Sequence, residues 1–500
     1  MRSDRYCEFI HERHWHSGKW LVAAGVLATV AAGLSRAPRV RTLLRRWATI
    51  GGLGGRTSAR AAVHGVRRMA APSARREELD TAFQLRSAED VAATLGNMKG
   101  AFMKVGQLLS FVDDGLPENI RTALAQLQDS APPMSATLAA SVIEAELGGP
   151  PQDVFAAWEP EPFAAASIGQ VHRATMRDGR RVAVKVQYPG AAAAMEADLA
   201  QLDVGRFVLP FVHKNFDVEA VTAELRERLL EELDYGLEAT NQRDFGTWYA
   251  GHPFIRIPAV VDELSTARVL TTDFAPGARF AEAEQWDQPE RDLAAEAILR
   301  FVYRSLYDYL AFNGDPHPGN YLFRPGGVVT FLDFGLVKRL RVEDRDAFIG
   351  LVHVSAFERD IRKLRASLED IGFYVKDAPI RDEIIAEFDE IFWSHLAEDR
   401  EVTLTPAWAA DAVRRYLFKQ GEFRKIEHYT TIPAPFVIMQ RITFGLTAIL
   451  GRLNATANWR RIAMELWFGG EPASPMGEAE AVWRASRPGD RGHLINQVDL

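Results

Sequence analysis

The sequence predicts an α+β, two-lobed architecture, on the strength of one change of hydrophobic period and one change of composition. Around residues 155–186 apolar side chains alternate, with Val182, Val184 and Val186 on one face and Ala183 and Lys185 on the other, the signature of strands covered on one side. On either side of that stretch the period lengthens to three and four, the signature of helices. Five hundred residues with 47% apolar content are enough for a large core, and the single cysteine, Cys7, excludes an intramolecular disulfide.

Charge divides the chain unevenly. Residues 1–76 carry 15 Lys and Arg against three acidic residues, a head of +12; the remaining 44 basic and 64 acidic residues leave a body of −20. A basic head beside the apolar run 20–34 points to an anionic membrane surface and away from nucleic acid. As a helix those 15 residues reach ~22 Å, short of the ~30 Å hydrocarbon core, so an anchor is weighed against a helix packed on the protein itself. A cleaved export signal is the less favoured reading.

Five segments follow. Residues 1–76 form the basic segment, with the candidate membrane-associated helix 20–34 and a Gly-rich tether at 51–55. Residues 77–150 are a helical extension in which Val91, Leu95, Met98, Phe102, Val105, Leu109 and Val112 make one buried stripe, with Lys104 and Gln107 together off it. Residues 151–275 are the strand lobe with a helical insert. Long helices are expected at 191–211 and 218–248, then strands at 255–261 and 268–274. Residues 276–468 are mainly helical, broken by a loop at Asp315 and a strand at 328–332. The run 436–450 carries Gln440 and Arg441 and so reads as a packed helix. Residues 469–500, rich in Gly, Pro and charge, read as a loosely ordered tail.

The chemistry concentrates between Asp315 and Gly335. Asp-Pro-His-Pro-Gly-Asn is followed by a short apolar strand and Asp-Phe-Gly, so Asp315, Asn320 and Asp333 stand in the order in which a kinase-type site presents its loop acid and its two magnesium-holding groups. Pro316 and Pro318 each fix φ and hold that loop. His317 between them is weighed as a general base against a structural loop histidine. Lys185 in Val-Ala-Val-Lys-Val shares its face with the small Ala183, leaving room for a flat base beside a charge for phosphate.

Upstream, Ala164, Ala165, Ala166, Ser167 and Ile168 stand where a glycine-rich phosphate cap would lie, and their methyl groups make that cap stiffer. Thr272, with Asp273, Phe274 and Ala275 as a hinge, completes the ATP-binding set. A buried Lys185 needs an acidic partner, which the helix holding Glu231, Glu232, Asp234 and Glu238 is expected to supply.

Together these segments resemble the UbiB (AarF-type) family of atypical kinase-like proteins, from about residue 79 to at least residue 340. The most specific element is Lys104-Val105-Gly106-Gln107, the Lys-x-Gly-Gln motif of that family. Leu127-Gln128-Asp129, residues 164–174, residues 182–190 and Glu232-Leu233-Asp234-Tyr235 support it. The resemblance implies a two-lobed protein-kinase-like fold with a family-specific N-terminal helical extension. It implies that this extension covers the place of a protein substrate, facing Glu232 and Asp234, which gives Lys104 and Gln107 a regulatory or catalytic role. It also implies that Glu238 pairs with Lys185, and that Asn320 and Asp333 hold Mg2+ for ATP.

Activity is then expected as an ATPase or small-molecule kinase in ubiquinone or other isoprenoid-quinone or lipid metabolism. The expected partners are a lipid or quinone-precursor ligand, an anionic membrane and quinone-biosynthesis proteins, on the cytoplasmic side. The alternatives are a non-catalytic nucleotide-binding scaffold and a protein kinase. Against the last, no Ala-Pro-Glu follows Asp-Phe-Gly, and residues 336–350 contain no Ser, Thr or Tyr. The chain departs from the family at Asn313-Gly314, where His is frequent, which puts the support of the Asp-Phe-Gly turn in question. It also lacks a C-terminal pair of apolar helices, which moves any anchor to the N-terminus.

Overall fold

The computed structural model of the protein describes residues 134–166, 168–191, 231, 233–313, 316–417, 429–430 and 434–487, all within the compact unit Met98–Leu500. The basic head, the run 20–34, Lys104, Gln107, Ser167, Glu232, Asp315 and the expected helix 191–211 beyond Ala191 lie outside the described residues.

Helix α1 (Ala136–Leu147) begins at Ser135, whose side chain accepts from Leu138 N, and ends at Gly148, where φ of +78° favours glycine. Strands β1 (Ala157–Trp158), β2 (Ala164–Ala166), β3 (Gly169–Thr175) and β4 (Arg181–Gln187) follow. With β6 (Val269–Asp273) they form an antiparallel sheet in the order β1-β3-β4-β6, with β2 paired to β3. The expected alternation holds: Val182, Val184 and Val186 are fully buried against Phe155 and α1, while Ala183 and Lys185 lie on the opposite, half-open face. On the buried side, Gln170 bonds both backbone groups of Met134 and donates to His172 Nε2 at 2.9 Å. His172 Nδ1 reaches Glu159 O at 3.0 Å, and its ring stacks on Trp158. Strand β3 thus pins Met134, the residue that leads into the cap of α1.

Helix α2 (Tyr235–Trp248) does not continue unbroken through 218–248 as the sequence suggested. Asp234 is extended, and its carboxylate accepts from Gly236 N and Leu237 N, so a fresh helix starts there. Short strand β5 (Ile255–Arg256) precedes β6, less than the strand expected over 255–261.

The second lobe is built on helix α3 (Gln288–Asp308), capped by Asp287 with Pro289 in its first turn. Strand β7 (Ala311–Asn313) pairs with β10 (Val337–Arg339), and β8 (Tyr321–Arg324) pairs with β9 (Val328–Phe331), which runs parallel to β5. Phe301 of α3 stacks on Phe331 of β9, tying the strand that leads to Asp333 to the main core. Helices α4 (Val342–Val352), α5 (Ile361–Asp370), α6 (Asp382–Trp393), α7 (Pro406–Leu417), α8 (Ala434–Arg452) and α9 (Trp459–Phe468) complete the lobe. Met439, Ile442, Leu446, Ile449 and Leu450 of α8 are buried, so this helix packs as expected. Among the described residues no helix is long and apolar enough to cross a membrane.

The tail expectation is corrected. Residues 470–487 pack against the lobe through helix α10 (Pro475–Ala485), with Ser474 as its cap, Pro475 in its first turn, and Met476 and Glu480 buried. Arg300 of α3, fully buried, binds Glu296, Glu465 and Glu480, each at 2.7 Å. A Cβ at Gly477 would stand 2.6 Å from Glu465 Oε2 and 2.8 Å from an Arg300 nitrogen, so glycine is needed for close approach. Burial would raise the Glu480 carboxyl, but Arg304, His252 and Arg300 outweigh it and hold it well below the usual range. Of the tail charges that suggested solvation, Glu480 is a buried partner, while Glu471 and Glu478 stay exposed.

Candidate functional site

The cleft between the lobes is organised around Lys185. Its ammonium reaches both carboxylate oxygens of Glu238 in α2, at 2.9 and 2.7 Å, and lies 4.7 Å from the centre of the Tyr235 ring. Burial alone would depress the Lys185 pKa; Glu238, followed by Tyr235 and Asp333, overcomes it and holds the ammonium charged above its ordinary value. Glu238 of α2 is therefore the acidic partner of Lys185, as the family resemblance implied. Asp234 is a helix cap and does not pair with Lys185.

Sheet register assigns the rest of the roof. Directly opposite residues share a face, so Val171 and Leu270 flank Lys185, while Arg173 and Thr272 flank Ala183. Ala164 stands opposite Val171 and Ala166 opposite Gly169, which puts both alanines on the Lys185 side. Ala165 is opposite Gln170, on the face away from Lys185, and is itself exposed, so it leaves the Lys185-facing set. Ile168 is buried with Tyr235, Ala239 and Leu270 and anchors the β2–β3 turn. The alanine segment is a paired strand, not an open glycine loop, which agrees with a stiff cap. Gly169 fits because a Cβ there would stand 2.4 Å from Val186 O and 2.7 Å from the Tyr235 hydroxyl oxygen.

At the hinge, Asp273 N donates to Ala259 O at 2.8 Å and Phe274 N donates to Arg181 O at 3.0 Å. Those two amides are engaged within the chain, so Ala275 is the hinge residue left to offer its N–H to a base. The Phe274 ring sits at the mouth beside Phe163, with the Arg181 and Arg173 guanidiniums over it at 4.3 and 5.8 Å. Gly277 lets the following chain run against β8, since a Cβ there would meet Leu322 Cβ at 2.8 Å.

The floor carries the metal candidates. Pro316 is buried, and His317 Nδ1 accepts from Gly319 N at 3.0 Å, capping the turn Pro318–Asn320. That contact favours the structural reading of His317. Asn320 O accepts from Leu332 N at 3.0 Å, which ties the Asn320 turn to the residue before Asp333. Asp333 Oδ1 accepts from Gly335 N at 2.9 Å, and Phe334 is fully buried against Phe245. An amide oxygen and a carboxylate are hard oxygen donors, the set that suits Mg2+ bound mainly through phosphate and water.

Two asparagines that the sequence reading did not assign hold this turn. Asn313 Nδ2 donates to Asp333 O, and Asn241 Nδ2 donates to Phe334 O at 3.1 Å. Asn313 thus supplies the support that its departure from the family pattern had put in question. A signal was available in the sequence: Asn241 lies three residues after Glu238, on the same face of α2. The lysine–glutamate pair is thus closed and Phe334 is packed inward, with Asp333 at the end of the strand that faces them.

Residues 126–368 match the ABC1 atypical kinase-like domain. The chain is 30% identical over 391 residues to a chloroplastic aarF domain-containing protein kinase of Arabidopsis thaliana, covering 77% of this chain and 54% of that protein. It is 35% identical over 289 residues to the mitochondrial atypical kinase COQ8B of Rattus norvegicus, covering 57% and 54%. The chain thus spans about half the length of these curated relatives. Among solved structures, the Rv3197–erythromycin complex of Mycobacterium tuberculosis matches with a TM-score of 0.58 and 29% identity, over 78% of this chain and 98% of that one.

Proposed function

This chain belongs to the ABC1/AarF (UbiB) family of atypical kinase-like proteins, and we propose that it is a magnesium-dependent ATPase or small-molecule kinase. The observation that carries the reading is the closed Lys185–Glu238 pair facing an Asp333-Phe334-Gly335 turn whose carbonyls are held by Asn313 and Asn241. Such a pair places a fixed positive charge for the phosphates, and Asn320 with Asp333 supplies the oxygen donors for Mg2+. The bound metal would neutralise charge on the phosphates. Lys185 orients them, Ala183, Val171 and Leu270 exclude water from the base, and Ala275 N–H fixes its edge. Asp315, next to buried Pro316, is assigned the loop-acid role.

The wider role extends from the relatives. One of them is named COQ8B, and we assign this chain to ubiquinone or other isoprenoid-quinone or lipid metabolism at a membrane. The +12 segment 1–76 is its contact with anionic lipid, and a lipid or quinone precursor is its ligand. A regulatory role is assigned to the Lys104-Val105-Gly106-Gln107 motif, as the family resemblance implies. The test is phosphate release by the purified full chain with Mg2+ and ATP, with and without anionic vesicles. Turnover that disappears in Lys185→Met and Asp315→Asn supports the enzyme. Magnesium-dependent nucleotide binding without turnover under every condition would mean a nucleotide-binding scaffold instead.

A further inference from the structure

The last carbonyls of a helix have no donor within it, and they are ordinarily met by a glycine turn or a cation a few residues away. In α2 they are met by side chains from the far end of the chain, 233 to 240 residues later. Arg487 donates to Trp248 O at 2.6 Å and to Thr247 O at 3.1 Å, and Trp483 Nε1 donates to Ala250 O at 3.0 Å. The Arg487 guanidinium also lies 5.1 Å from the centre of the Trp483 ring, so the two side chains form one unit. A positive charge at this end complements the helix dipole.

The same segment is fastened to α3. Glu480 binds Arg300 at 2.7 Å, and Arg484 pairs with Asp308 at the end of α3. From α3, Ser305 Oγ meets the Tyr249 hydroxyl at 2.7 Å, just past the end of α2. Helix α10 therefore bridges the central helix of the lobe and the carbonyl end of α2. Arg300 already secures the tail, so the contacts of Trp483 and Arg487 act on α2. At the other end of α2, about 15 Å along the helix from Trp248, Glu238 holds Lys185 and Asn241 holds Phe334 O. A displacement of one end of so short a helix is carried to the other, because rigid elements transmit coupling.

We propose that residues 475–487 are a positioning clasp for the cleft: by holding the C-terminal end of α2, Trp483 and Arg487 set where Glu238 meets Lys185 and where Asn241 meets the Asp333 turn. The clasp lies outside residues 126–368, the stretch that matches the family domain. Its effect on turnover rests on the cleft being an ATP site, as proposed above, whereas its effect on α2 and Lys185 does not.

The experiment compares Arg487→Gln and Trp483→Leu with Val482→Ser, a change at a 72% exposed position of the same helix, all in the full chain. Amide exchange of residues 235–248, the acetylation rate of Lys185 mapped by mass spectrometry, and kcat/KM for Mg-ATP are measured. Arg487→Gln is expected to speed exchange across α2 about fivefold, the size of one lost hydrogen bond. Lys185 should acetylate faster, because an ammonium parted from Glu238 gives up its proton more readily, and kcat/KM should fall by a similar factor. Trp483→Leu should act in the same direction, and Val482→Ser should change none of the three. Helix α6 should keep its exchange rate, which separates release of α2 from a loss of global stability. The proposal is overturned if Arg487→Gln loosens only residues 470–487 and leaves α2 and Lys185 unchanged, the outcome of a tail held for its own stability. It is overturned as well if α2 and α6 loosen together. A chain without ATP turnover would remove the kinetic measurement and the reading of the cleft, while exchange and acetylation would still decide on the clasp. Should Trp483→Leu fail to fold, Arg487→Gln at the surface carries the test.

Discussion

Replacing Glu238 by Gln tests the electrostatic centre of the cleft. The Glu238 side chain is 4% exposed and that of Lys185 21%, and two hydrogen bonds at 2.7 and 2.9 Å join them. Removing one partner of a buried ion pair costs about 3–5 kcal/mol, and the residual exposure of the ammonium sets this case near ~3 kcal/mol at neutral pH. The pH dependence has a defined sign. In the unmodified chain Lys185 is raised above its ordinary 10.5, so the pair's stabilisation is fully present below that value and is lost only as pH rises through the higher folded value. In Glu238→Gln, burial faces only the weaker pull of Tyr235 and Asp333, and the folded lysine is depressed. The unfolded chain then binds more protons, and the variant regains stability as pH rises toward 10.5.

Urea denaturation at a series of pH values reads both effects. The double variant Lys185→Met, Glu238→Gln should recover at least half of the loss, because no unpaired charge remains. The reasoning is refuted if Glu238→Gln lies within about 0.5 kcal/mol of the unmodified chain, the scatter of ordinary surface changes. It is also refuted if the deficit widens with rising pH.

Three further outcomes are expected. Gly169→Ala should destabilise the strand lobe by about 2 kcal/mol in a melt, because the new methyl meets Val186 O at 2.4 Å and that oxygen belongs to backbone. Arg300→Met should lower stability by about 3–5 kcal/mol and loosen α10 in amide exchange, since Glu296, Glu465 and Glu480 lose their shared cation. Asp389, hydrogen-bonded by Ser355 from a π-helical turn at His353–Glu358, is pushed by burial from 3.8 up to about 7. Its folded form keeps a proton that the unfolded chain releases, so stability falls as pH rises across that interval. Asp389→Asn should remove that slope and be more stable above pH 7 by on the order of 2 kcal/mol.

Much of the cleft was legible in the sequence because strand periodicity encodes faces. The alternation around Lys185 assigned Ala183 to the Lys185 face, and the same rule carried across β2 separates Ala164 and Ala166 from Ala165. The rule needs the pairing register, which only the fold supplies, so Val171 and Leu270 went unassigned. The Asp333 turn was recognised by spacing, whereas its supports were not: Asn313 and Asn241 act through side-chain contacts to backbone carbonyls 20 and 93 residues away. The tail was misread for a compositional reason. Pro475 starts a helix, Gly477 permits a close approach, and Glu480 is buried against Arg300, 180 residues earlier. A local composition cannot show a partner that distant.

The most direct test of the account is calorimetric titration of the full chain with ATP, with and without Mg2+, for the unmodified protein and Asp333→Asn. Saturable binding that strengthens with Mg2+ in the unmodified chain, and a magnesium effect lost in the variant, is the predicted result. Binding that ignores Mg2+, or a variant that retains the full magnesium effect, would contradict the assignment of this cleft.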